Sequence, residues 1–145
     1  MQALNLPQYA PKIKQQDGKV EIFDVIRKKY VHLLPEEWVR QHMVNFLIHH
    51  LGYPKGLIRI ESGLHYNRLL KRSDILVYDN AGKPHLLVEC KSYSQTLNQA
   101  ALDQVTTYNK THEAPYIVLT NGLNHYCCKL EDGRYTFESA IPDYQ

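Results

Sequence analysis

The stretch S-D-I-L-V-Y-D-N-A-G-K-P-H-L-L-V-E-C-K, residues 73–91, constrains this chain more than any other. Two apolar runs, 75–78 and 85–88, flank Asn80-Ala81-Gly82-Lys83-Pro84. Asn and Gly accept positive φ and Pro cannot continue a ladder, so this spacing predicts two β-strands joined by a turn. Asp74 stands at the start of the first strand, and Glu89 and Lys91 close the second, one residue apart. Antiparallel pairing sets the start of the first strand beside the end of the second. Period-two alternation then points Glu89 and Lys91 to the same side. Two carboxylates and an amine converge at one sheet edge, which costs free energy unless a cation or substrate uses them.

The rest of the chain supplies a frame for that hairpin. Residues 1–19 are polar and interrupted by Pro7, Pro11 and Gly18, which predicts an arm, with a short strand at 20–23. Arg27-Lys28-Lys29, ahead of Tyr30 and Val31 near a second strand, reads as a solvated charged face. Leu34-Pro35-Glu36-Glu37-Trp38 reads as a helix start, with Pro in the first turn and two acids facing the positive end of the dipole. Val39, Met43, Phe46, Leu47 and Leu51 recur at a helical period, and Gly52 and Pro54 end it. At about 100° per residue Glu36 lies near the centre of that apolar stripe, and Glu37 nearer its edge. An acid on the buried side requires a partner, and Arg40, four positions after Glu36, can supply it.

Strands are expected at 57–61 and, after Ser62-Gly63, at 64–67. Arg68, Lys71 and Arg72 lead into the Asp74 strand; they can hold phosphates or form an ordinary exposed loop. Beyond Lys91 a polar connection, 92–96, precedes a helix over 97–110 whose apolar face carries Leu97, Ala101, Val105 and Tyr108. Gln104 and Tyr108, at i and i+4, share one side of it. The continuous apolar run 116–119 reads as a central strand, Thr120-Asn121-Gly122 as a turn, and 125–130 with 135–137 as a terminal hairpin around Asp132-Gly133. Helix, three or four strands, helix and two or three strands predict an α/β fold, a mixed β-sheet flanked by helices, in one domain over 1–145.

Composition excludes some functions. A net charge of +2 carries no global signature of nucleic-acid binding, so such binding must come from a local patch. The 11 tyrosines suit half-buried strands, and also surfaces that touch bases. Cys90, Cys127 and Cys128 contain no C-x-x-C pair, and the first residues have neither a basic region nor an apolar run. A reducing, cytoplasmic setting is expected. No apolar stretch approaches the ~18–20 residues that span a bilayer, so no membrane partner is expected. His42, His49 and His50 share the first helix, but their spacing spreads them around it and argues against a zinc site.

The chemistry of the hairpin suits a hard cation. Mg²⁺ takes one or two carboxylates while keeping waters, and Asp74, Glu89 and the backbone carbonyl of Cys90 offer such oxygens. A lysine two residues after the second acid can orient or deprotonate a metal-bound water or neutralise charge developing on a phosphate, as in-line attack on a phosphodiester requires. Acid-x-Lys alone is common by chance. The acidic first helix and the glutamine and tyrosine of the second raise its weight.

Over residues 23–138 the chain resembles the PD-(D/E)xK nuclease superfamily, and within it the nuclease domain at the N-terminus of type I restriction enzyme R subunits. The resemblance rests on P-E-E-W-V-R-Q (35–41), L-G-Y-P-K (51–55), S-D-I-L-V-Y-D (73–79), L-L-V-E-C-K (86–91), L-D-Q-V-T-T-Y-N (102–109) and A-P-Y-I-V-L-T-N-G (114–122). It implies a restriction-endonuclease-like core in which Asp74 and Glu89 coordinate Mg²⁺, or Mn²⁺ in its place, and Lys91 is the catalytic lysine. It also implies a further metal-binding acid at Glu36 or Glu37, where the helix phase favours Glu36. Gln104 and Tyr108 fit a Q-x-x-x-Y signature that places the DNA strand near the metal. Ser73 stands where the family has proline, a common variation. The residues hold no G-x-x-x-x-G-K-[ST] loop and no translocase motor. The expected partners are therefore DNA, a separate motor or specificity subunit, or a second copy of the chain. The activity implied is Mg²⁺-dependent endonucleolytic hydrolysis of DNA; the alternative is a DNA-binding or assembly module that keeps the fold without catalysis.

Overall fold

The structure is a computed structural model and describes residues 1–61 and 74–145. Its centre is a six-stranded mixed sheet in the order β4(Ile58–Glu61), β5(Asp74–Tyr78), β6(Pro84–Cys90), β7(Tyr116–Thr120), β8(His125–Glu131) and β9(Arg134–Glu138), preceded by a three-stranded antiparallel sheet of β1(Ile13–Gln16), β2(Lys19–Asp24) and β3(Lys29–His32). Only β6 and β7 pair in parallel within the described sheet, and α2(Gln99–His112) makes the crossover that a parallel pair needs. The other helix, α1(Pro35–His49), covers the opposite face.

Strand parity sorts the core into two layers. Ile75 and Val77 of β5, and Leu86, Val88 and Cys90 of β6, pack with Val39, Met43, Val44 and Leu47 of α1. Leu76, Leu87, Ile117 and Leu119 pack with Ala101 and Val105 of α2. Both faces of the middle strands are covered, which is why 86–88 and 117–119 read as unbroken apolar runs. The β5–β6 hairpin has the register Ile75↔Val88, Leu76↔Leu87, Val77↔Leu86 and slips by one at Tyr78↔Pro84. Its turn is held by Asp79 Oδ1, which accepts from Ala81 N and Lys83 N, with Gly82 at φ 81°.

The N-terminus departs from an arm. Asp17 and Gly18 take φ of 53° and 77° and join β1 to β2 as a tight two-residue hairpin, for which Asp-Gly is a strong signal. Residues before β1 are docked. Asn5 N donates to Gly122 O at 2.8 Å, Trp38 Nε1 donates to Gln2 O at 2.7 Å, and Leu4 and Leu6 pack on the α1 layer. Pro7 and Pro11 break periodicity without freeing the segment. Arg27 also departs from a solvated face: its Nε lies 2.7 Å from Asp24 Oδ2 and its Nη2 3.7 Å from Glu37 Oε1.

The second helix begins at Gln99, where Asn98 caps it by accepting from Ala101 N, and ends on Glu113 in the left-handed region. The strand expected at 64–67, and the cations Arg68, Lys71 and Arg72, lie outside the described residues. Among the described residues no helix is long and apolar enough to cross a membrane.

Candidate active site

Glu89 lies at the carboxyl end of β6 and Lys91 one residue beyond it. Val88 and Cys90 belong to the α1 layer and Leu87 to the α2 layer, so alternation turns Glu89 and Lys91 toward the α2 side. Lys91 Nζ lies 3.1 Å from Glu89 Oε2, with only 8% and 9% of the two side chains exposed. A carboxylate and an ammonium this dry stabilise one another, because each alone bears the full cost of leaving water.

The backbone around the pair is tied on both sides. Lys91 N donates to Thr120 O at 2.8 Å, joining the ends of the two parallel strands. Thr120 Oγ1 accepts from Gly122 N at 2.9 Å and lies 2.7 Å from His125 Nδ1, whose Nε2 donates to Asn5 O at 2.8 Å. Asn121 Oδ1 accepts from Leu123 N and Asn124 N, while its Nδ2 donates to Gln95 O at 2.8 Å. The loops after β6 and β7 are thereby stitched together outside the carboxyl ends of adjacent parallel strands, the place where open α/β sheets gather ligands.

Asp74 opens β5 directly opposite Glu61 of β4. Since Ile75 pairs with Val88, the next positions outward, Asp74 and Glu89, lie level on adjacent strands. The register thus sets Glu61, Asp74 and Glu89 in one row across β4, β5 and β6. Glu61 was not among the residues singled out from sequence. Its signal was available in the strand L-I-R-I-E, which ends on an acid, but only the register shows which acid it faces. Among the described side chains, which do not include that of Asp74, no three His, Cys, Asp or Glu come together as a ready metal site. The donor chemistry of the row is nonetheless carboxylate oxygen, which suits Mg²⁺ or Mn²⁺. The Cys90 side chain packs in the α1 layer, leaving its backbone carbonyl as the oxygen that this residue could offer.

The acids of α1 require a correction. Helix phase pointed to Glu36 as the buried acid with Arg40 as its partner; the structure buries Glu37 and leaves Glu36 half-buried. Arg40 Nη2 is hydrogen-bonded to Glu37 Oε1, and Gln41 Nε2 donates to Glu37 Oε2 at 2.7 Å. Asp24 completes the network, accepting at Oδ1 from Ile26 N and Arg27 N, both at 2.9 Å. Periodicity gives a direction around the helix, whereas the Asp24–Arg27 turn covers the first turn of α1 on the Glu37 side. Burial lowers the Arg40 pKa and Glu37 beside it pulls the other way. Burial raises the Asp24 carboxyl, yet hydrogen bonds from the Arg27 and Ile26 N–H groups and the Arg27 guanidinium outweigh it and hold the group below its usual value. Tyr9 is pushed up by burial, then by Glu37 and Asp24, and stays protonated.

On α2, Gln104 is exposed and Tyr108 half-buried, and the two share a surface depression of about 250 Å³ with Asp103 and Thr107. The Tyr108 ring meets His112 edge-on at 5.1 Å. Their helix packs on the side of the sheet to which Glu89 and Lys91 turn.

The family described as type I restriction enzyme R protein N terminus matches residues 35–142 of this chain. No curated protein matches it.

Proposed function

The chain belongs to the family of type I restriction enzyme R protein N-terminal domains, and from that premise we propose that it is a Mg²⁺-dependent DNA endonuclease domain of the PD-(D/E)xK kind. The observation that carries the proposal is the dry Glu89–Lys91 pair at the end of β6, with Asp74 level beside it on β5. Glu89 and Asp74 would hold the cation, with the Cys90 carbonyl beside them. Mg²⁺, when bound, supplies Lewis acidity toward a phosphodiester and lowers the pKa of water. Lys91 offers N–H donors to the phosphate oxygen on which charge develops, and Glu89 fixes the direction of that ammonium. Gln104 and Tyr108 position the strand from the neighbouring helix. Glu37 balances Arg40 and Arg27 from the other layer, a positioning duty for the floor beneath Cys90. DNA is the substrate in this reading, in company with motor and specificity subunits.

The test is nicking of supercoiled plasmid with Mg²⁺ or Mn²⁺, run on the chain alone and with added R-complex partners. Asp74→Ala and Lys91→Ala should each abolish nicking while DNA affinity persists. Cleavage surviving both substitutions places the chemistry elsewhere. DNA binding with no cleavage, and no calorimetric Mg²⁺ uptake, would make the chain an assembly module.

A further inference from the structure

On the outer side of α1, the N-terminal segment, the turn after β2 and the short 3₁₀ turn Lys55–Leu57 enclose a cavity of about 500 Å³. That size is within the ~300–1,000 Å³ typical of small-ligand sites. Its lining carries Lys12, Lys28, Lys55 and His49 and no carboxylate. Asp24 and Glu37, whose charges reach the lining residue Tyr9, are buried and already matched by Arg27 and Arg40, so the lysine charge is left to act on the cavity. Phe23 gives it an aromatic wall, with Lys12 Nζ 5.5 Å from the ring centroid, and Asn45 adds an amide that can donate and accept. Lys28 holds φ at 57°, a left-handed conformation that glycine or asparagine takes at lower cost. The turn accepts that strain and keeps a cation at the cavity.

Cations around a half-apolar cavity with one ring face and one amide match a phosphate joined to a flat base. We propose that this cavity binds a nucleotide unit, with the phosphate among Lys12, Lys28 and Lys55 and the base along Phe23. A free nucleotide and one residue of a single strand share that chemistry. None of the lining residues belongs to the Glu89–Lys91 end, so this proposal stands or falls separately from the nuclease reading.

The experiment measures binding of thymidine monophosphate, thymidine, inorganic phosphate and a short oligothymidylate to the full chain in EDTA, so that no metal-bridged contact contributes. Thymidine monophosphate should bind at least about tenfold more tightly than thymidine or phosphate alone, the loss of one charge-assisted contact being worth about that factor. Lys28→Glu and Lys55→Glu should each weaken it about tenfold, and Lys83→Glu, on the far β5–β6 turn, should not. Preference for the oligomer over the monophosphate assigns the cavity to a passing strand, and the reverse to a free nucleotide. Equal affinity for phosphate alone, or binding indifferent to both lysine variants in protein with an unchanged melting temperature, overturns the proposal.

Discussion

Replacing Lys91 by methionine removes the ammonium and keeps the aliphatic stem, leaving the Glu89 carboxylate where it is only 9% exposed. Removing one partner of a buried ion pair costs about 3–5 kcal/mol. The residual exposure of both side chains places this pair at the lower end, about 3 kcal/mol. At ~2–4 °C per kcal/mol for a domain near this size, the melting temperature should fall by about 6–12 °C. Glu89→Gln strands the ammonium instead and should cost a similar amount. The double variant leaves two neutral groups, so its cost should be smaller than the sum of the singles by about 2–3 kcal/mol. Urea unfolding read by Trp38, the single tryptophan, measures all four corners of that cycle. Mg²⁺ gives an independent arm. If Glu89 faces the cation, Mg²⁺ should raise the stability of Lys91→Met more than that of the wild type, because it replaces the missing positive charge. Single costs under ~1 kcal/mol that simply add would show a solvent-screened surface pair and refute the reasoning.

Three further outcomes are expected. Gly122→Ala places a Cβ 2.8 Å from Leu4 Cδ2 at a φ of 86°, so it should cost about 1–3 kcal/mol and speed amide exchange at Asn5 as the N-terminal segment lifts. Burial depresses the His42 pKa below 6.5, against the opposing hydrogen bond to Trp38 O, so the unfolded chain takes up the proton first. Stability is then full above 6.5 and declines as pH falls toward the lower folded value; His42→Phe should flatten that decline in urea midpoints, leaving the part due to His85, which burial depresses likewise. Glu113→Gly relieves a left-handed cap at φ 51° and should raise stability by about 0.4–1 kcal/mol in thermal melts, whereas a loss would contradict that cap.

Much of the framework was legible because local chemistry and global packing agree. Asn-Ala-Gly-Lys-Pro forces a turn, and alternation on either side settles which residues share a face, so the adjacency of Glu89 and Lys91 follows from counting. The Asp132-Gly133 hairpin was read the same way. The Asp17-Gly18 hairpin carries the same signal, but Pro7 and Pro11 just before it interrupt the alternation that would mark its first strand. The miss at Glu36 and Glu37 is of another kind: periodicity gives a direction around a helix, and only the chain packed over its first turn decides which acid is buried. Arg27 is that chain, 10 positions from Glu37 and invisible to any local pattern. Glu61 likewise became a neighbour of Asp74 only through cross-strand register.

The docked N-terminal segment bears on the order in which the molecule can complete itself. Asn5 and His125 meet across 120 positions. A ribosome adding ~5–20 residues per second needs roughly 6–24 s to make the second after the first. Throughout that interval Leu4 and Leu6 can find the α1 layer, but the Thr120–Gly122 loop beside Lys91 does not yet exist. The hydrogen bonds of Asn5 therefore close long after Asn5 itself is made, and their closure fastens the same loop that holds the backbone of Lys91.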